Sequence, residues 1–252
     1  SYCQDTEGSD SKLYDSYDRR STDCKIKPIK QNKLGITGAS TGLDCAFFSN
    51  NGIATGYVAY ENNRACEHAI IQACNNLWAK GVNPQAITLT ISLPDSFREI
   101  KLKEIMKQAC ETLEKLGLKI INGHTEYVQS LLNPVISVTA VGDIARDFST
   151  EKVLKEIGSL DKKELDIVMT KWMALSGTSI LATQRKEELQ KKLPAYYVEE
   201  AAGLDQFVCI RDEAVIASAS KDTVVMHDVA GGGIFTGIWE ICDELNCGCS
   251  VE

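Results

Sequence analysis

The chain has 252 residues, 44% of them apolar and 25% charged, with a formal net charge of −8. That size holds one large or two ordinary globular domains, and the acidic balance without a long basic run excludes nucleic acid or an anionic membrane surface as the main partner. No apolar run approaches the roughly 18 residues that cross a bilayer, and the opening SYCQDTEGSD lacks the apolar core of a signal peptide, so a cytoplasmic place is expected.

Residues 1–34 are polar and mixed in charge and read as an N-terminal arm, its end running into the glycine- and hydroxyl-rich loop Gly35–Gly42. A strand is expected over Asp44–Phe48, a hairpin turn at Asn50-Asn51-Gly52 and the return strand over Ile53–Tyr60. In Cys66–Lys80 the residues Ala69, Ile70, Ala73, Leu77 and Trp78 recur at helical spacing, and Gly81 stops the helix. Ala86–Leu93 reads as a strand, Ile100–Leu116 as an amphipathic helix ended by Gly117, Leu118–Ile121 as a buried strand, and Pro134–Gly142 as another strand. The order β-β-α-β-α-β-β over residues 35–145 is that of a mixed α/β layer. Its strands are apolar on both alternations, so the sheet face away from the helices calls for a second cover.

Arg146–Lys163 is charged and poor in apolar residues and reads as a domain linker. Residues 164–252 would form a second domain, with a strand over Asp166–Lys171, a helix from Ser179 to about Leu193, a further helix after Pro194 and another over Leu204–Ser218. Thr223–Val225 then suits a buried strand. After His227-Asp228 come three glycines, Gly231, Gly232 and Gly233, and an apolar stripe of Ile234, Phe235, Ile238, Ile241 and Leu245 at helical spacing. Strand, glycine turn and helix make either a phosphate cradle, since a helix N-terminus offers free N–H groups, or a tight turn that binds nothing. A carboxylate such as Asp228 beside phosphates suits magnesium.

Ten cysteines are many for a chain of this kind. Most are scattered without ligand spacing and read as small buried hydrophobes. Cys242, Cys247 and Cys249 cluster, but no second pair or nearby histidine completes a metal site in the sequence.

Taken in order, several stretches resemble the AIR synthase-related (PurM-like) superfamily, which includes aminoimidazole ribonucleotide synthetase, thiamine monophosphate kinase, selenophosphate synthetase and the hydrogenase maturation protein HypE. They are Gly42–Ala46, Asn75–Pro84, Gly123–Glu126, Pro134–Gly142, Asp166–Ala182 and Met226–Glu240, and the HypE-like branch is the most similar. The resemblance implies a two-domain α/β (α+β) architecture: an N-terminal mixed sheet with helices on one face, dimerising through that sheet, and a C-terminal α/β domain, truncated here. It implies ATP and magnesium in the groove between them. It also implies ATP-dependent activation of an amide or acid oxygen, in company with other maturation proteins. By the same resemblance Asp44, His124, Glu126, His227 and Asp228 are the catalytic candidates. Gly42, Asn75, Asn76, Gly123, Thr125, Gly231, Gly232 and Gly233 would contact the nucleotide, and Asp44 and Asp228 the magnesium. On this basis Gly123–Glu126 and His227–Gly233 should face one cleft. The chain departs from the family where relatives carry acids: Gly56 and Asn76 stand at two such positions. A homologue that binds nucleotide or acts as a scaffold without turnover is therefore the alternative.

Overall fold

Alternation along the strands sets the architecture. In the computed structural model, which describes residues 44–60, 64–158 and 165–251, all strands lie between Cys45 and Ile144. They are β1 (Cys45–Phe48), β2 (Asn51–Val58), β3 (Val82–Leu93), β4 (Lys119–Tyr127) and β5 (Val135–Ile144), in the sheet order β1-β2-β5-β3-β4. The pair β3/β4 is parallel and is joined through a helix, as a parallel crossover requires; the other neighbours are antiparallel. The arm over 1–34 and the loop with Gly42 lie outside the described residues.

Ile87, Leu89, Ile91 and Leu93 of β3 and Ile136, Val138 and Ala140 of β5 point to one face and are buried there. Two helices, α1 (Ala65–Trp78) and α2 (Glu99–Leu116), complete that core with Ile70, Leu77, Ile105 and Leu113. β2 offers this face only Gly52, Ala54, Gly56 and Val58, and α1 therefore lies close to it. A Cβ at Gly56 would stand 2.5 Å from both the Ala69 carbonyl oxygen and the Ala73 nitrogen. The chain leaves α1 through Gly81 at φ 72°, where a Cβ would strike the Arg146 carbonyl.

Three expectations shift within this domain. The hairpin turns at Ser49-Asn50, because Phe48 pairs with Asn51; Gly52 belongs to β2, where a Cβ would meet Val82. β4 runs on to Tyr127 and is exposed at every position instead of buried, being an edge strand beyond the cover of the helices. Gly123–Glu126 is thus strand and not a turn.

Residues 146–158 do more than link. Phe148 with Val153 and Ile157 of α3 (Thr150–Ile157) form a second small core with Leu245, flanked by Val224, Val225 and Met226. Beyond it follow α4 (Leu175–Gln184), α5 (Lys186–Gln190), α6 (Ala195–Ala202), a 3-10 turn (Gly203–Phe207), α7 (Arg211–Ala219) and α8 (Gly233–Glu244). The expected helix from Ser179 breaks at Arg185, and that over Leu204–Ser218 divides into the 3-10 turn and α7. Asp166–Lys171 and Thr223–Val225 form no strand, having no β partner among the described residues. No described helix is long and apolar enough to cross a membrane.

Candidate functional site

The two cores meet at the C-terminal end of α1. Asn76 and Lys80 stand four residues apart there, on one side of the helix end, and Asp44 sits just before the edge strand β1. The segment between α7 and α8 brings His227 and Asp228 against them, so that Asp44, Asn76, Ala79, Lys80, His227 and Asp228 line one small crevice. α8 closes it with acids four residues apart: Gly237, Glu240 and the Glu244 side chain are buried while Phe235 is largely exposed. The apolar stripe expected to face inward is therefore partly outside, because the acids of α8 have cationic partners in the crevice and its hydrophobes do not.

The Lys80 ammonium lies 3.0 and 3.3 Å from the two Glu244 carboxylate oxygens, and both side chains are almost wholly buried. His227 Nε2 is 3.0 Å from Glu240 Oε2, and its Nδ1 is 2.6 Å from the Asp228 carbonyl oxygen. A carbonyl only accepts, so Nδ1 carries a proton; the facing carboxylate favours one on Nε2 as well. Burial works against a charged ring here. The bond to Glu240, the Asp228 charge and the Asp228 carbonyl outweigh it and raise the imidazole above its ordinary value.

Asp44, His227 and Glu240 bring three ligand atoms within 4.8 Å of one another. The Asn76 amide donates to the Thr55 carbonyl at 3.2 Å, while its buried Oδ1 has no hydrogen-bond partner among the described residues. A buried carbonyl oxygen with no partner among the described residues, in a crevice that Asp44 and Asp228 also line, makes a hard-oxygen donor set of the kind magnesium takes.

Of the residues expected at the site, Asp44, Asn76, His227 and Asp228 come together. Asn75 does not: its amide nitrogen donates to the Val208 carbonyl at 2.8 Å and its oxygen accepts from the Ile210 N–H at 3.1 Å, so it fastens the later helices to α1, and it does not line the crevice. His124, Glu126, Gly123 and Thr125 lie on the exposed strand β4, at the opposite edge of the sheet from β1. Glu126 accepts there from the Ser92 hydroxyl at 3.1 Å. The expectation that Gly123–Glu126 and His227–Gly233 share a cleft within one chain is thereby corrected, because β5 and β3 intervene between β2 and β4. Gly231, Gly232 and Gly233 are exposed at the start of α8, about two helical turns before Glu240. At Gly56 in this chain α1 lies too close for a side chain, a Cβ there standing 2.5 Å from the Ala69 carbonyl oxygen.

Lys80, Glu240 and Glu244 were not singled out from the sequence. The available signal was the i, i+4 pair of acids on an otherwise apolar helix.

A second polar cluster lies at the other end of α1. Arg64 forks onto Glu67 at 2.6 and 2.8 Å and also contacts Asp205, whose other oxygen is 3.5 Å from His68 Nε2. The Tyr60 hydroxyl is 2.7 Å from His68 Nδ1. Burial lowers the His68 imidazole below its ordinary value, against the opposing pull of Asp205. Arg146 makes a third tie, donating to the Ser218, Ser220 and Thr223 carbonyls.

Residues 34–144 match the family described as AIR synthase related protein, N-terminal domain. A Methanocaldococcus jannaschii protein named for hydrogenase expression and formation is 22% identical over 185 residues, which is 73% of this chain and 50% of that protein. The chain thus spans about half the length of the curated relative it matches. Among solved structures, a ThiL complexed with AMPPCP and TMP overlays with a TM-score of 0.51 at 13% identity, covering 75% of this chain and 58% of that one. HypE from a HypE–HypF complex overlays with a TM-score of 0.37 at 22% identity, covering 41% of this chain and 36% of that one.

Proposed function

From a chain whose residues 34–144 are the N-terminal domain of an AIR synthase-related protein, we propose a HypE-like, ATP-binding function, with the phosphates held over the Asp44 crevice. The observation that carries this reading is the convergence of Asp44, Asn76, His227 and Asp228 on one crevice, from nearly opposite ends of the described chain. Asp44, Asp228 and the Asn76 carbonyl would hold magnesium, which when bound neutralises phosphate oxygens. His227, whose imidazole is raised above its ordinary value between Glu240 and the Asp228 carbonyl, fixes the backbone that presents Asp228. Lys80, ion-paired with Glu244, locks α8 against the end of α1 beside the crevice. The exposed start of α8 at Gly231 and Gly232 would offer further anion contacts, the Gly233 N–H being engaged with the Ala230 carbonyl at 3.0 Å.

The reaction class that goes with this family is ATP-dependent activation of an amide or acid oxygen, in a cytoplasmic setting and alongside other maturation proteins. A nucleotide-binding homologue without turnover is the second reading. Asn76 favours it, an amide where relatives carry an acid, as does the commitment of Asn75 to the backbone of Val208 and Ile210.

Calorimetric titration with ATP, with and without magnesium, combined with a phosphate-release assay, tests both. We expect magnesium-dependent ATP binding that Asp228→Asn abolishes and Asn76→Asp strengthens. Phosphate release by the wild type selects the enzyme over the silent homologue. Magnesium-ATP binding that survives Asp228→Asn unchanged would remove the crevice from the proposal.

A further inference from the structure

The end of α8 gathers three thiols that the Asp44 crevice does not use. Asn246 takes a left-handed conformation at φ 48°, and the Cys247 N–H donates to the Cys242 carbonyl at 3.0 Å. This is the six-to-one bond of a Schellman motif, which turns the residue after the cap back onto the helix's last turn. It brings Cys247 over Cys242. Cys249, two residues further on, lines the same open pocket of about 480 Å³ with Cys242, Cys247, Trp239 and Asp243. All three cysteines thus border one cavity at the end of α8. Cys242 follows buried Glu240 by two residues, about 200° around the helix, so the pocket and the crevice lie on opposite sides of α8.

We propose that Cys242, Cys247 and Cys249 form a binding site for a thiophilic metal ion of the zinc type, separate from the Asp44 crevice. Thiolates are soft donors that select zinc and copper(I) over magnesium. Three of them with a position left open to solvent is a recognised zinc arrangement in kind, if not in ligand identity. As the metal binds, each thiol loses its proton to the buffer, a sulfur–metal bond replaces the sulfur–hydrogen bond, and the ion gives up bound water. The three sulfurs face the pocket without yet closing a coordination sphere; among the described residues only Asp44, His227 and Glu240 have three ligand atoms within 4.8 Å. Closure requires rotation about the Cα–Cβ bonds of exposed Cys249 and half-buried Cys247, neither of which is enclosed by packing.

The test is titration of the full chain, kept reduced, with cobalt(II) and then zinc. The expected result is a thiolate-to-cobalt charge-transfer absorption that saturates at one metal per chain and is bleached by zinc. Cys249→Ser, at an exposed position that leaves folding undisturbed, should lower zinc affinity by more than the roughly 100-fold that loss of an outer-shell partner costs. Cys242→Ser should do the same, and Cys110→Ser, at an exposed cysteine elsewhere, should change nothing. Absence of the absorption, its persistence in both Cys242→Ser and Cys249→Ser, or its loss in Asp44→Asn with the cysteines intact would each overturn the assignment.

Discussion

His227 and His68 are both shielded from water, yet their surroundings drive them in opposite directions. His227 has an acceptor at each ring nitrogen, and its imidazole is raised above 6.5 despite burial. His68 has a hydroxyl at one nitrogen and a more distant carboxylate at the other, with Arg64 close by, and burial carries it below 6.5. By linkage, the His227 contribution to stability is fully present below pH 6.5 and is lost as pH rises through its folded-state value. The His68 contribution is present above pH 6.5 and is lost as pH falls through its folded-state value. Thermal unfolding across pH should therefore show the advantage of wild type over His227→Gln shrinking toward alkaline pH, and that over His68→Gln shrinking toward acid. Two differences that move in the same direction would contradict the protonation states assigned here. The buried thiols Cys45, Cys66 and Cys74 need no functional account: burial pushes each up to about 12, which keeps it protonated and inert.

Between elements, the joint that matters is α1 against α8, and one buried ion pair spans it. Lys80 and Glu244 are each less than 5% exposed. Removing one partner strands the other charge out of water, which costs about 3–5 kcal/mol, whereas replacing both with apolar side chains is often neutral or stabilising. Lys80→Met should therefore destabilise by about that amount in urea unfolding, and adding Glu244→Leu should recover most of it. A double variant no more stable than Lys80→Met would mean that Glu244 is held by other groups and that the pair does not fasten α8. The Asn75 and Arg146 ties work by the same logic, each spending a polar side chain on backbone groups of the α7 region.

At the scale of the molecule, the described elements cover the sheet on one face only. The open face carries Phe48, Tyr57, Ile53 and Val141 among hydroxyls, with Thr55 and Thr139 3.4 Å apart at their oxygens. Tyr57 is 64% and Phe48 45% exposed, a contiguous surface of a kind that marks association. A second copy of the chain across this face is the proposed assembly, and it would also cover His124, which pairs in register with Thr90. Sedimentation at micromolar concentration should give a dimer, and Thr139→Lys, placing a charge in the middle of the face, should give a folded monomer. A wild type that sediments as a monomer defeats the proposal.

Local pattern was enough for the order β-β-α-β-α-β-β and for the inward faces of α1 and α2, because alternation and helical spacing record which side of an element meets water. With the family resemblance it also pointed to Asp44, Asn76, His227 and Asp228, which line one crevice. It misjudged β4, since a strand's burial depends on its place in the sheet and not on its own composition. It missed that Phe148, Val153 and Ile157, in the stretch read as a linker, share a core with Leu245 and the residues near Val224. Asn75 and Asn76 are adjacent in the chain and indistinguishable by type; only the packing of residues 208–210 decides that one is spent and the other is left with a buried free acceptor. Lys80, Glu240 and Glu244 enter the site for the same reason. A buried charge is tolerated only beside its counter-charge, and here Lys80, just past the end of α1, meets Glu244 on α8 more than 160 residues later, a meeting that tertiary packing alone sets.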